Sequence, residues 1–237
     1  MDACHLAGAI VDPNIFKTTT MKPSHVLFRV NDLHSAVQRL TAAGFIVEYG
    51  SKIETAYNAF IWFEEGVFIE IYKEKPLPAL LKGLLKLMGY NALLQRMEKW
   101  KKTGQGWSEW SLETETAGLA YQQELLKQHH IPFVMHKRAK RTDSNSRLLK
   151  WSLLFPKDID FPFIMSAYEP NPRPRYIAHP NQISEIASIM VGEDQLDLQL
   201  LSLLGVDQRK LVLVKGTAGL QSVVFKDSSL QLEQILL

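Results

Sequence analysis

Three short apolar stretches of this chain carry, at alternate positions, side chains suited to holding a small molecule. In HVLFRV the set is His25, Leu27 and Arg29; in NAFIW it is Asn58, Phe60 and Trp62; in FIEIY it is Phe68, Glu70 and Tyr72. Successive side chains of a strand point to opposite faces, so each set shares one face. An imidazole, a guanidinium, a carboxamide and a carboxylate among large aromatic rings are expensive to bury without partners. The same mixture suits a concave pocket that fixes a polar ligand. For an acidic or carbonyl compound, Arg29 would supply charge-assisted hydrogen bonds, His25 and Asn58 would fix its orientation, and Phe60, Trp62 and Phe68 would enclose its apolar part. The opposite set is wholly apolar: Val26, Phe28, Val30, Ala59, Ile61, Phe63, Val67, Ile69 and Ile71. It suits a face covered by a helix.

The elements that position these residues follow the order strand, helix, three strands. After HVLFRV, DLHSAVQRLTAAG places Leu33, Ala36, Val37 and Leu40 at helical spacing and stops at Gly44. FIVEYGS, NAFIWFEE and VFIEIYKE read as three strands. The order recurs in GWSEWSLET, the helix TAGLAYQQELLKQHH, and PFVMHKRAKR, LLKWSLLFP and FPFIMSAYE. A third pass runs through EIASIMV, the helix EDQLDLQLLSLLG, and the strands KLVLVKG, LQSVVFKD and LQLEQILL. The fold class is α+β with repeated βαβββ modules. It comprises a leader (1–22), a first module (23–75), a helical insert (76–103), a second module (104–170), a Pro-rich linker carrying His-Pro-Asn (171–182) and a third βαβββ-like module (183–237). Met21 is an alternative start. The Leu- and Lys-rich insert suits a helical lid beside the pocket, or else a basic amphipathic surface for a membrane or partner helix; the lid is the simpler use.

Composition bounds the function classes. With 46% hydrophobic and 22% charged residues in 237, the chain can bury a sizeable core. Its 27 Lys and Arg against 25 Asp and Glu leave +2, so a polyanion-binding surface is not indicated and nucleic acid is not an expected partner. Cys4 is the single cysteine, which excludes an internal disulfide, and no apolar stretch approaches the roughly 18 to 20 residues that span a bilayer. A cytoplasmic location away from membranes is expected. The acidic start of MDACHLAGAIVDPNIFKTTT reads poorly as a secretion signal. HHIPFVMHKRAKR reads as solvated surface. There is no glycine-rich phosphate loop, no Gly-x-Ser-x-Gly elbow and no Cys-x-x-Cys cluster.

HVLFRVNDL with its following helix, and VFIEIYKE at the end of the module, resemble the glyoxalase I and bleomycin-resistance group, the vicinal oxygen chelate superfamily. TAYNAFIWFEEGVFIEI and YIAHPNQISEIASIMV resemble, more narrowly, a glyoxalase-like family with an asparagine in the third strand and a His-Pro-Asn signature after the second module. The resemblance covers residues 23 to 191. It implies paired modules whose sheets curl into a cup around a small-molecule site. In divalent-metal members it also implies a histidine on the first strand and a glutamate on the last strand of each module. His25 and Glu70 stand at those positions, and their chemistry suits Zn, Ni, Mn or Fe. By the same offsets the second-module positions fall at Trp107 and near Ser166, neither a metal ligand. In the third module they fall at Ile186 and Glu233, the latter read as structural. Glu109, on the cup face of GWSEWSL, offers a third carboxylate. The expected ligand-binding set is therefore His25, Arg29, Asn58, Phe60, Trp62, Glu70, Tyr72, Trp107, Glu109 and His179, the last through the His-Pro-Asn signature.

Two function classes stay open, and no catalytic residue is assigned. One is a protein that binds a small polar or aromatic metabolite in the cup without a complete four-ligand metal site. The other is a divalent-metal-dependent lyase, isomerase or dioxygenase in which Glu70 or Glu109 moves protons. The missing second-module ligands favour the first. A third module without a fourth partner either closes on the other two or pairs with its copy, and a homodimer is expected.

Overall fold

The computed structural model describes residues 20–237, so Cys4 and most of the leader lie outside the described residues. β1 (Lys22–Val30) opens the first module. Met21 before it is fully buried, its carbonyl accepts from the Asp207 N–H, and its N–H donates to the Gly205 carbonyl. Residues 21 and 22 therefore belong to the fold rather than to a peripheral leader. Asp32 caps α1 (Leu33–Ala42) by accepting from the amides of His34 and Ser35. Leu33, Ala36, Val37 and Leu40 form the buried stripe of α1, as their spacing requires. β2 (Glu48–Tyr49), β3 (Asn58–Ile61) and β4 (Phe68–Lys73) complete the module.

The insert forms α2 (Ala79–Leu87) and α3 (Asn91–Lys102). The second module follows as β5 (Gly106–Glu113), α4 (Ala120–Gln128), β6 (Phe133–Thr142), β7 (Leu148–Pro156) and β8 (Phe163–Met165). Both modules share one eight-stranded sheet in the order β2-β3-β4-β1-β5-β8-β7-β6. The first strands of the two modules, β1 and β5, are antiparallel neighbours at its middle. The β1–β4 register places Leu27 opposite Glu70 and Arg29 opposite Tyr72, and β3 adds Asn58 opposite Tyr72.

The third module contains β9 (Ile186–Asp194), α5 (Leu198–Leu203), β10 (Leu211–Thr217), β11 (Gly219–Phe225) and α6 (Leu232–Leu236). β9 lies between a parallel β10 and an antiparallel β11. LQLEQILL is thus helical over α6, not a fourth strand. Leu232 and Leu236 are one turn apart and both buried, a spacing that outweighs the short apolar alternation. The module closes on the other two within the chain. One buried cluster contains all nine apolar residues of the convex face together with Ile186, Ile189, Val191, Leu220, Val223 and Phe225. Its apolar face being covered, the third module gives no reason of its own for a dimer. Among the described residues no helix is long and apolar enough to cross a membrane.

Candidate functional site

The concave face of the sheet encloses a cavity of about 600 Å³. The first module lines it with His25, Leu27, Tyr57, Glu70 and Tyr72, and the second with His136, Trp151, Leu153, Phe155, Phe163, Met165 and Tyr168. The insert closes it with Leu85, Met88, Tyr90, Leu93, Met97 and Trp100, the position expected of a lid. A larger concavity, about 900 Å³, lies beside the third module. Its charged rim is largely self-satisfied: Lys210 and Lys226 pair with Glu185, Arg209 pairs with Asp207, and Arg173 donates to the carbonyls of Phe63 and Gly66. The smaller cavity, where polar groups converge in an apolar wall, is the better site.

That convergence centres on His25 and Glu70. His25 Nε2 lies 3.5 Å from Glu70 Oε2, and Asn58 Nδ2 donates to Glu70 Oε1 at 2.8 Å. Behind the ring, Ser111 Oγ accepts from the His25 backbone N–H and lies 2.8 Å from Nδ1. The Glu70 carboxylate beside Nε2 favours the neutral tautomer with its proton there, in which the Ser111 hydroxyl donates to Nδ1. Phe68 stacks on the imidazole with centroids 4.8 Å apart, and Phe163 meets it edge-on.

Burial drives the His25 pKa down to about 3, and the Arg141 and Arg173 charges push the same way. Burial raises Glu70, against the opposing effects of the Asn58 hydrogen bond and Arg141. The imidazole is therefore neutral where the carboxylate, poorly solvated, is a stronger base than in water. Burial also raises Tyr57 and Tyr168, and it pushes Tyr72, which donates to Ser108 Oγ, up to about 12. Three phenols thus stay protonated near Glu70.

The depressed His25 value has a thermodynamic consequence. Between its folded pKa of about 3 and the ordinary 6.5, the unfolded chain holds a proton on His25 that the folded chain does not. Stability contributed by the neutral ring is present above 6.5 and is lost as pH falls, at up to about 1.4 kcal/mol per pH unit. Glu70, whose folded value is raised, acts with the opposite sign above its ordinary range and softens this slope. Urea melts at pH 7 and 5 should show the parent losing more stability than His25→Gln. An equal loss in both would mean that His25 is not buried neutral.

Several expected site residues stand elsewhere. Trp107 faces the convex side, edge-on to Phe28 at 4.8 Å, with Nε1 donating to Glu233 on α6. The cause is a β-bulge: Leu27 pairs with Glu109 but Phe28 with Trp107, so Ser108 is the extra residue and Trp107 is turned to the other face. Glu109 keeps the cup side, yet its Oε2 is taken by Arg96 and by Trp100 Nε1. Arg29 donates to the Lys101 carbonyl and to Glu74, and it lines a neighbouring cleft of about 290 Å³. Phe60 and Trp62 are buried with Phe68 in a separate aromatic cluster, beneath the guanidinium groups of Arg141 and Arg173. His179 is a brace between backbones: Nδ1 accepts from the Ile46 N–H and Nε2 donates to the Trp62 carbonyl, both at 3.0 Å.

Other residues at the site carried no such expectation. Ser111 orients His25, Arg141 and Arg173 set its charge environment, and His136 of the stretch read as solvated lines the cavity. Gly50 is a further one. A Cβ there would stand 2.0 Å from Asn58 Oδ1 and 2.6 Å from Arg141 Nη1, so glycine is what allows both groups to approach Glu70. A glycine between strands is the only local signal of this.

The fit to a divalent metal can be judged from the donors. In the first module the histidine stands two residues before the partner of Glu70. In the second, Glu113 opposite Met165 puts Ser111 and Met165 in that relation, not Trp107 and Ser166. Hydroxyl and thioether do not complete an imidazole–carboxylate pair, and no group of three or more His, Cys, Asp or Glu side chains gathers among the described residues. The donor set does not fit a resident divalent metal.

The family model of the glyoxalase-like domain matches residues 24–203. The chain belongs to the glyoxalase-like domain family, within the vicinal oxygen chelate superfamily. This glyoxalase-like chain is similar in structure to a hypothetical protein from Staphylococcus aureus, with 14% identity over 89% of this chain and 92% of that one and a TM-score of 0.58. It is also similar to the Mn(II)-bound glyoxalase from Novosphingobium aromaticivorans, with 9% identity over 90% of this chain and 67% of that one and a TM-score of 0.51. Identities this low speak to the shared fold alone. No curated protein matches the sequence.

Proposed function

We propose that this glyoxalase-like chain binds a small metabolite, mostly apolar or aromatic and carrying one hydrogen-bonding group, in the cup roofed by the insert. The observation that carries this reading is the pairing of a buried His25 with a half-buried Glu70 in an otherwise largely apolar cavity of about 600 Å³. Glu70 is held by Asn58 through Oε1, which leaves Oε2 toward the His25 Nε2–H and an incoming donor. A ligand hydroxyl or N–H directed at Oε2, with aromatic walls around the remainder, satisfies a carboxylate that is otherwise poorly solvated.

A second reading, proton transfer, is supported by the same carboxylate: raised by burial and beside a neutral imidazole, Glu70 is placed to take a proton from a carbon acid. Native mass spectrometry of the protein purified without a histidine tag tests both. A retained small molecule, absent from Glu70→Gln, supports binding. Recovery of that molecule from D₂O with a carbon-bound hydrogen exchanged supports proton transfer. A metabolite screen in which no compound shifts either the mass or the melting temperature would contradict the cup reading.

A further inference from the structure

We infer that α2 docks this protein on an anionic membrane surface, with Leu80, Leu84 and Leu87 entering the interface and Lys82 and Lys86 contacting headgroups. The three leucines are 88%, 52% and 88% exposed, and Met88 beside them is 60% exposed. Their spacing places them on one stripe of a nine-residue helix in which no residue is buried. Lys82 and Lys86, one turn apart, stand roughly 120–160° round the helix from the stripe, so their long side chains would reach back to headgroup level, and among the described residues they have no acidic partner. The inference does not depend on the cup, because Leu80, Leu84 and Leu87 do not line it. Leu85 and Met88 do, so the helix is seated on the body by one side and presents the other outward.

Charge selects the occupant. Residues 76–103 hold five lysines and Arg96 against Glu98 alone, a net +5 in a chain whose total is +2, which leaves −3 for the remainder. Arg96, Lys99 and Lys101 are paired with Glu109, Asp160 and Glu74, while Lys82, Lys86 and Lys102 have no ion-pair partner among the described residues. A second copy of the chain would bring two cationic inserts face to face. An anionic bilayer offers counter-charge to the lysines and an apolar boundary to the leucines at once. With no described helix able to cross a membrane, the association would be peripheral.

The test is co-sedimentation of the full chain with vesicles of phosphatidylcholine, with and without phosphatidylserine. Binding is expected only with phosphatidylserine, weakening as salt rises. Partitioning should fall at least about tenfold both in Leu80→Glu/Leu87→Glu and in Lys82→Glu/Lys86→Glu. The side chains are exposed, so melting temperatures should stay at the parent's, which separates lost docking from lost folding. Three results would overturn the inference: no sedimentation of the parent, equal sedimentation on both lipid compositions, or variants that bind as the parent does. A dimer seen by light scattering and abolished by Leu80→Glu/Leu87→Glu, without vesicle binding, would assign the ridge to a second copy instead.

Discussion

Replacing Arg96 with methionine is expected to destabilise the protein by about 3–5 kcal/mol, and replacing Arg96 and Glu109 together with methionine and leucine to recover part of that loss. Arg96 is wholly buried. One terminal nitrogen donates to Glu109 on β5, and the other donates to the carbonyls of Asp158 and Phe161 at 3.0 and 2.8 Å. Trp100, one turn along α3, donates to the same Glu109 carboxylate at 3.2 Å. The cluster ties the insert to the centre of the sheet. Removing the cation strands a carboxylate that is itself almost fully buried, and this dominates the loss; removing both charges lifts that penalty but leaves the Asp158 and Phe161 carbonyls and Trp100 Nε1 without these partners. Because α3 also provides Leu93, Met97 and Trp100 to the cavity wall, the single variant should loosen the roof and weaken any bound ligand. Urea unfolding of the two single variants and the double variant gives the coupling energy. A loss below about 1 kcal/mol for Arg96→Met, within the range of surface pairs, would show that the pair does not hold the lid.

Alternation in the sequence captured both faces of the first module. The nine apolar residues of one set are all in the core, and His25, Leu27, Glu70 and Tyr72 of the other line the cavity. Strand periodicity is a local property, so a continuous strand reveals it. What failed was what depends on interruption or distance. The bulge at Ser108 turns Trp107 to the convex face, and nothing in GWSEWSL marks it. Arg96 sits among lysines in QRMEKWKK, where a buried guanidinium looks like a solvated one until the position of Glu109 is known. Arg141 and Arg173 reach the first module from strand β6 and the linker, far along the chain. His179 was visible as a signature, but its two ring nitrogens are spent on the backbones of residues 46 and 62. LQLEQILL shows the limit of short apolar runs, which fit a strand or a helix until packing decides.

In the proposed function the polar pair in the cup, rather than the cup's shape alone, holds a ligand. Glu70 and His25 are fixed from behind by Asn58 and Ser111, so truncating them should cost little of the fold's order while removing the groups that meet a ligand. A hydrogen bond to a charged partner contributes roughly 1.5–3 kcal/mol, which corresponds to about a 10- to 100-fold change in affinity. The most direct measurement is calorimetric titration of the parent, Glu70→Gln and His25→Ala with the compound that native mass spectrometry recovers, alongside their melting curves. The expected result is a 10- to 100-fold weaker Kd for Glu70→Gln, a smaller loss for His25→Ala, and cooperative unfolding in both. Parent-like binding in both variants, with melting temperatures well below the parent's, would show that His25 and Glu70 serve the fold and not the ligand.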